Sequence, residues 1–254
     1  MIDFDNITVA TLPHSILLVG ERGGRQNEIC DKIASRFGMR TIDITEHIDK
    51  DYIDQIYLSP NPAIYKVNIT EIDFRRQNMM LKLFEEPGPF IFIILVAENI
   101  DDVIDTIYNR SYVIKLERYT REELEPLITK DKDLVLELCS TPGQIEIANH
   151  TDIKALYKLC DTIMSSMKTA NYANALSIAD KINYKDEYDK FDLYLFIKAF
   201  SNSLLSRLRQ SYDKMIYNYL MAVKELNRKV WRVNNKKQQV EYFITNLWEA
   251  SRCQ

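Results

Sequence analysis

The chain has 254 residues, 46% of them hydrophobic and 28% charged, with a net charge of −4. That length carries one large domain or two to three small ones, and the composition is that of an ordinary globular protein. The charge excludes a chain-wide basic signature for nucleic acid, so any DNA contact must come from a local patch.

Residues 15–19 form a short apolar run that ends at Gly20 and read as a buried strand. Gly20-Glu21-Arg22-Gly23-Gly24 follows, taking three of the chain's six glycines. Over 26–37, Ile29, Ile33, Ala34 and Phe37 recur at helical spacing. The order is therefore strand, glycine loop, helix. Residues 41–44 and 63–67 are further strand candidates, and 74–84 reads as a helix with apolar Met80, Leu81 and Phe84. Pro87, Gly88 and Pro89 stop that helix. Residues 90–96 are β-branched and aromatic without polar interruption, the pattern of a strand covered on both faces in a parallel sheet. Residues 112–116 alternate and give a last strand. Strands alternating with helices imply a three-layer α/β domain.

From Tyr119 onward no strand is expected. Thr120-Arg121-Glu122-Glu123 reads as a capping box, and 131–139 and 143–149 complete a small helical unit. Longer helices are expected over 151–169, 171–182, 188–210, 212–229 and 236–251. Leu193, Phe196, Ile197, Phe200, Leu204 and Leu208 fall at three- and four-residue steps, as in a helical bundle.

Cys30, Cys139, Cys160 and Cys253 lie far apart, and no pair has metal-ligand spacing. This argues against a zinc module and for reduced thiols in a cytosol-like compartment. The acidic N-terminus lacks the apolar stretch of a signal peptide, and no apolar run approaches a membrane span. A cytoplasmic protein with no membrane partner is expected. His14, His47 and His150 are isolated and carry no assigned chemistry. Glu85-Glu86 precedes a proline and suits a structural role.

Gly20 to Asn27 occupies the place of a phosphate-binding loop, G-x-x-x-x-G-K-[ST]. In a working loop, backbone N–H groups cradle phosphates, a lysine neutralises them and a hydroxyl holds Mg²⁺. Here Arg25 stands where the last glycine should be, Gln26 replaces the lysine and Asn27 replaces the hydroxyl residue. Gly23 and Gly24 remain. Taken alone, a glycine turn between a strand and a helix is a common feature.

The segment from Gln77 to Pro87, QNMMLKLFEEP, closely resembles the QNALLKxLEEP segment of bacterial clamp-loader ATPase and delta-prime subunits. Asp105 to Ser111 (DTIYNRS) resembles the same family's P-T-I-x-S-R-C box, and Thr120 to Leu124 its S-x-E-E-L helix start. Ser140 to Gln144 (STPGQ) resembles the G-S-P-G-R opening of its sensor-2 helix. The order and spacing agree over residues 12–150. Over the bundle the similarity is faint, carried by Val233, Asn234 and Asn235 and the helix after them.

This resemblance to the AAA+ clamp-loader family, delta-prime type of DNA polymerase III, implies a fold and a task. The fold is a three-layer AAA+ α/β core with a parallel sheet over 1–117, a small helical lid over 118–150 and an all-α collar that oligomerises over 151–254. The departures from the family's pattern fall together at the nucleotide site. Asn68 and Ile69 stand for the Walker B Asp-Glu, Glu98 lies near the sensor-1 position, and Gln144 replaces the sensor-2 arginine. No cofactor, no metal and no ATPase activity of its own are therefore expected. What survives is Arg110. In isolation it reads as a surface arginine that caps a helix or pairs with Asp105. Inside this box the resemblance implies an arginine finger offered in trans.

The implied partners are clamp-loader ATPase subunits in a hetero-oligomer, a sliding clamp and primer–template DNA. Residues 206–238 hold nine Lys/Arg against Asp213 and Glu225. Such a stripe suits either a solvated face or phosphate contacts. Trp231 and several tyrosines could stack on bases. Arg75, Arg76, Lys229, Arg232, Lys236 and Lys237 are the DNA-binding candidates. Met79, Met80, Leu83 and Phe84 suit core packing better than clamp contact. Two alternatives stay open: a divergent weak ATPase, or an AAA+-derived adaptor for a helicase loader or another replication partner. The Ile, Asn, Tyr and Lys content and the eroded motifs suit a phage or an AT-rich genome.

Overall fold

The apolar runs become strands of one sheet: β1 (Ser15–Val19), β2 (Arg40–Asp43), β3 (Ala63–Asn68), β4 (Ile91–Ala97) and β5 (Tyr112–Lys115). All neighbours pair in parallel, in the order β2-β3-β4-β1-β5. The structure is a computed structural model that describes residues 11–182, 192–230 and 235–252. The chain divides into two units, Met1–Arg118 and Tyr119–Gln254.

In the first unit the central strands split their side chains by parity. Ile16, Leu18, Ile64, Phe92 and Ile94 join one buried cluster, while Leu17, Tyr65, Val67, Ile93 and Leu95 join another. Successive residues of a strand point to opposite faces, so both faces are covered, as the unbroken apolar runs predict. Helix α1 (Gln26–Phe37) covers one face with Cys30 and Ile33. The other face is covered by α2 (Lys50–Tyr57), α3 (Phe74–Met79), α4 (Leu81–Glu85) and α5 (Asp105–Tyr108). Ile53, Ile56, Leu83, Phe84 and Ile107 pack there. Each such side chain contributes about 1.5–3 kcal/mol when fully buried.

Two elements of this unit differ from the sequence expectation. Helix α2 was not foreseen; its eight residues bury Ile53 and Ile56 with Tyr52 and Tyr57 packed against the same core, and it starts because Asp49 caps the Tyr52 N–H at 2.9 Å. The helix expected over 74–84 breaks at Met80. There the N–H of Met80 bonds to the Gln77 carbonyl at 3.1 Å, and that of Leu83 to the Met80 carbonyl at 2.9 Å. Three-residue bonds eclipse side chains three apart, so Gln77, Met80 and Leu83 all face inward and all are buried. Met80, Leu83 and Phe84 are core residues and are not available to a clamp.

The second unit is helical. The capping box forms as predicted: Thr120 Oγ1 accepts from the Glu123 N–H at 3.3 Å, and the Glu123 carboxylate accepts from the Thr120 N–H at 2.8 Å. It opens α6 (Arg121–Leu124), a single turn. Then come α7 (Lys132–Leu138), α8 (Pro142–Asn149), α9 (Ile153–Thr169), α10 (Tyr172–Leu176), α11 (Leu193–Gln210), α12 (Lys214–Val230) and α13 (Lys236–Ala250). Leu138, Ile145, Leu156, Phe200 and Phe243 belong to one continuous core. Helix α10 stops short of the expected 182, giving way to a tight turn at Ala179–Lys181. Trp231, Arg232, Val233, Asn234 and Cys253 lie outside the described residues, as does the start of the helix expected over 188–210. Among the described residues, no helix is long and apolar enough to cross a membrane.

Candidate functional site

The glycine loop sits at the carboxyl end of β1, where parallel α/β sheets bind ligands. Gly20 donates to the Ala97 carbonyl at 3.0 Å, which fixes the loop beside the end of β4. A Cβ on Gly20 would lie 3.0 Å from the Leu116 Cβ, so any larger residue requires Leu116 to shift. Gly23 has a φ of 73°, a left-handed conformation that glycine adopts without strain.

Gln26 decides what the loop can hold. Its side chain is buried, and its amide nitrogen donates to the Gly20 carbonyl at 2.7 Å and the Glu21 carbonyl at 2.9 Å. A lysine at this place would extend toward phosphate; the glutamine amide turns back and closes the loop on itself. The flanks are ion-paired, Glu21 with Arg118 at 3.5 Å and Arg22 with Glu71 at 3.7 Å.

The neighbouring strand ends are tied in by hydrogen bonds of their own. The Asn68 N–H donates to Thr45 Oγ1 at 2.9 Å, and Ile69 is wholly buried. Thr45 in turn donates from Oγ1 to Asp43 at 2.7 Å and from its N–H at 3.1 Å. Asp43 also pairs with Lys66 at 3.3 Å. Burial opposes the Asp43 charge, but the Thr45 donors and the Lys66 ammonium outweigh it and hold the carboxyl below its usual range. The Glu98 N–H donates to Thr70 Oγ1 at 3.0 Å, and Thr70 Oγ1 donates to the Asp102 carboxylate at 3.2 Å. Gln144 is buried within the second unit. Its Nε2 donates to the Tyr194 hydroxyl at 3.0 Å, and its Oε1 accepts from the Ser140 N–H at 2.9 Å and Lys198 Nζ at 3.2 Å. Among the described residues, no group of three His, Cys, Asp or Glu converges as metal ligands would.

Arg110 lies at the other end of the sheet, just before β5. Its backbone is held from two sides. Ahead of it, Gln77, 0% exposed, donates from Nε2 to the Asp102 carbonyl at 2.7 Å and accepts the Ile104 N–H at 3.0 Å. Behind it, Ser111 donates to the Ile107 carbonyl at 2.8 Å and shares a hydroxyl–hydroxyl bond with Ser15 of β1 at 2.7 Å. Between these anchors Ile107 is fully buried. The Arg110 side chain is 41% exposed. Its Nη1 donates to the Thr106 carbonyl at 3.1 Å, and its Nη2 lies 3.3 Å from Glu85, the last residue of α4. The ion-pair partner is therefore Glu85 and not Asp105, because the turn after α5 points the guanidinium toward α4.

Sequence reasoning missed Gln77 and Ser15 as supports. The usable signal for Gln77 was an amide in register with apolar Met80 and Leu83, since a buried polar group requires partners. The DNA-binding candidates divide. Arg75 is exposed and Arg76 half-buried in the first turn of α3. Lys229 pairs with Glu225 at 2.6 Å, and Lys237 with Glu241 at 3.6 Å. Lys236 is half-buried at the start of α13, and Arg232 is among the residues not described. Cys30, Cys139 and Cys160 are free and buried, and burial pushes their thiols up to about 11, 11 and 12.

Comparison with known proteins covers part of this ground. Residues 50–120 match the family model described as DNA polymerase III, delta subunit, a stretch running from α2 through the Gln77 helices and the Arg110 box to β5. A solved structure of a DNA polymerase III gamma subunit-related protein from Thermotoga maritima is 16% identical, covering 94% of this chain and 95% of that chain with a TM-score of 0.50. A point mutant of RuvB from Thermotoga maritima is 13% identical, covering 89% of this chain and 79% of that chain, with a TM-score of 0.47. No curated protein sequence matches. The chain thus has the AAA+ fold, and its residues 50–120 are similar to the DNA polymerase III delta-subunit family.

Proposed function

We propose that the chain is a non-catalytic clamp-loader subunit. It assembles with ATPase subunits, supplies Arg110 in trans to a neighbour's nucleotide, and helps load a sliding clamp on primed DNA. The observation that carries this is the separation of Arg110 from its own loop. Ser111 is bonded to Ser15 at the start of β1, and Gly20 follows its end. Five residues of strand separate these points by about 16 Å. Arg110 therefore has no reach to a phosphate at its own residues 20–27, and its use lies in another chain's site.

The loop residues do not fit a magnesium-nucleotide. Position 26 offers an amide spent on loop carbonyls, position 27 lacks a hydroxyl, and Asn68 lacks a carboxylate. The Gln144 amide is spent inside the second unit. Arg110, by contrast, suits its task. A planar guanidinium spreads positive charge over the transferring phosphoryl oxygens and donates to two at once. Gln77 and Ser111 order its backbone in advance, so only the side chain has to reorient. Its exposed pair with Glu85 is worth about 0–1 kcal/mol, which a polyphosphate can displace.

The test is a reconstituted complex of this chain with its ATPase partners, recovered by affinity purification. Arg110→Ala should lower DNA-stimulated ATP turnover about tenfold or more while size-exclusion chromatography shows intact assembly. Arg110→Lys should recover little, because an ammonium lacks the fork. Full turnover in an assembled Arg110→Ala complex would refute the finger. Recovery of a helicase, or of no ATPase at all, would move the function to an adaptor.

A further inference from the structure

Helix α12 carries a stripe that the proposed role leaves unused. Lys214, Tyr217, Met221, Lys224 and Arg228 follow one another at three- and four-residue steps, so they line one face. All five are exposed, Tyr217 by 45% and Met221 by 46%. No acidic residue interrupts the stripe. Lys214, Lys224 and Arg228 make no ion pair among the described residues, whereas neighbouring cations do: Arg207 with Asp161 at 2.9 Å and Lys229 with Glu225 at 2.6 Å. The opposite face of α12, with Tyr219, Val223, Leu226 and Val230, is buried in the helical core. The stripe thus faces away from its own unit, and three like charges run along about 21 Å of helix, while the nearest acids are engaged elsewhere, Asp213 with the Met215 N–H at 2.8 Å and Glu225 with Lys229.

We propose that this face of α12 binds single-stranded nucleic acid, with Lys214, Lys224 and Arg228 on successive phosphates and Tyr217 stacked on a base. The charge calls for a polyanion, and lysine is depleted at the cores of protein–protein interfaces. The exposed ring between cations selects the single strand, because a duplex keeps its base faces stacked inside, while an unpaired base offers its face to an aromatic side chain. The inference is independent of Arg110 and of clamp loading.

The experiment is fluorescence anisotropy of the full chain with a labelled oligonucleotide of about 20 residues, as DNA and as RNA, against a hairpin duplex competitor. Three phosphate contacts to a single strand give a slope of log affinity against log salt of about −2. The triple variant Lys214→Gln, Lys224→Gln, Arg228→Gln should weaken binding about tenfold or more at low salt and lose that slope. Tyr217→Ser should weaken single-strand binding about fivefold or more and leave the slope unchanged. The charge-matched control Lys32→Gln, Lys130→Gln, Lys168→Gln should bind as the parent does, and thermal melting should show every variant folded. The DNA and RNA arms decide which strand is preferred. Equal losses in the triple variant and the control would overturn the proposal. So would duplex binding as tight as single-strand binding with Tyr217→Ser neutral. If the parent binds no oligonucleotide and the triple variant fails to assemble with partner subunits, the face is a protein interface and the proposal falls.

Discussion

Gln77→Leu probes the support beneath Arg110 directly. Leucine preserves most of the volume and the apolar surroundings of Met80 and Leu83. It removes the donor to the Asp102 carbonyl and the acceptor for the Ile104 N–H, bonds of 2.7 and 3.0 Å around a side chain that is 0% exposed. Each buried polar group left unpaired costs about 1–3 kcal/mol, and the part-buried position of Asp102 places the sum near 2–4 kcal/mol. In a chain of this size that lowers the thermal midpoint by about 4–16 °C. Urea unfolding measures the cost, and hydrogen exchange at the Ile104 amide should show protection lost there first. Gln77→Glu sharpens the test. The carboxylate still accepts from Ile104 but repels the Asp102 carbonyl, while the protonated acid makes both bonds. Burial raises this acid's folded pKa above the ordinary value of about 4.3. The folded state then binds more protons than the unfolded one, so stability rises as pH falls through the folded pKa. A Leu variant less than about 1 kcal/mol weaker than the parent would show that the amide does not hold the loop.

Two further outcomes follow from the loop and from Asp43. Gln26→Lys restores the cation but breaks both amide bonds to Gly20 and Glu21, and it leaves Asn27, Asn68 and Gln144 in place. Titration with a fluorescent ATP analogue should show no saturable binding to the parent or the variant, and micromolar affinity in the parent would overturn the non-catalytic assignment. Asp43 is held below its usual range despite burial by the Thr45 donors and Lys66. Its depressed folded pKa means that the stabilisation is present above the unfolded value of about 3.9 and is lost as pH falls through the folded value. Asp43→Asn should therefore flatten the acid limb of the stability curve. Parent and variant curves that stay parallel through that limb would refute the assignment.

Much of the fold was legible because the strands announce themselves. β1 and β4 are unbroken apolar runs, and a strand buried on both faces leaves no other pattern. The capping box and the long bundle helices were equally plain, since their spacing is set by helix geometry. Helix α2 escaped because its inward face, Tyr52, Ile53, Ile56 and Tyr57, spans little more than one turn, too short a run to show a period. The break at Met80 escaped because a shift from four- to three-residue bonds leaves no mark on composition. The loop's departures from the phosphate-binding pattern were visible at Arg25, Gln26 and Asn27, but the inward turn of the Gln26 amide depends on where two carbonyls point. Of the two local roles open to Arg110, the helix cap forms on the Thr106 carbonyl, while the ion pair goes to Glu85 and not to Asp105, because Glu85 is brought close only by the packing of α4 against α5.

The loop after β1 and the support beneath Arg110 are held by separate sets of contacts. The loop residues Gln26 and Glu21 and the strand-end residue Asn68 bond among the carboxyl ends of the strands. The Arg110 platform rests on Gln77, Ile107, Ser111 and Ser15, and its bonds close at the amino end of β1. The two sets share no hydrogen-bond partner in these contacts, and a strand's length of packed core lies between them. Sites so separated respond nearly additively to substitution. Changes that remove the phosphate cradle therefore leave the arginine's support standing, provided each lost polar group finds another partner. Gln26 meets that condition by closing the loop with its own amide, a set of bonds that leaves the support beneath Arg110 untouched.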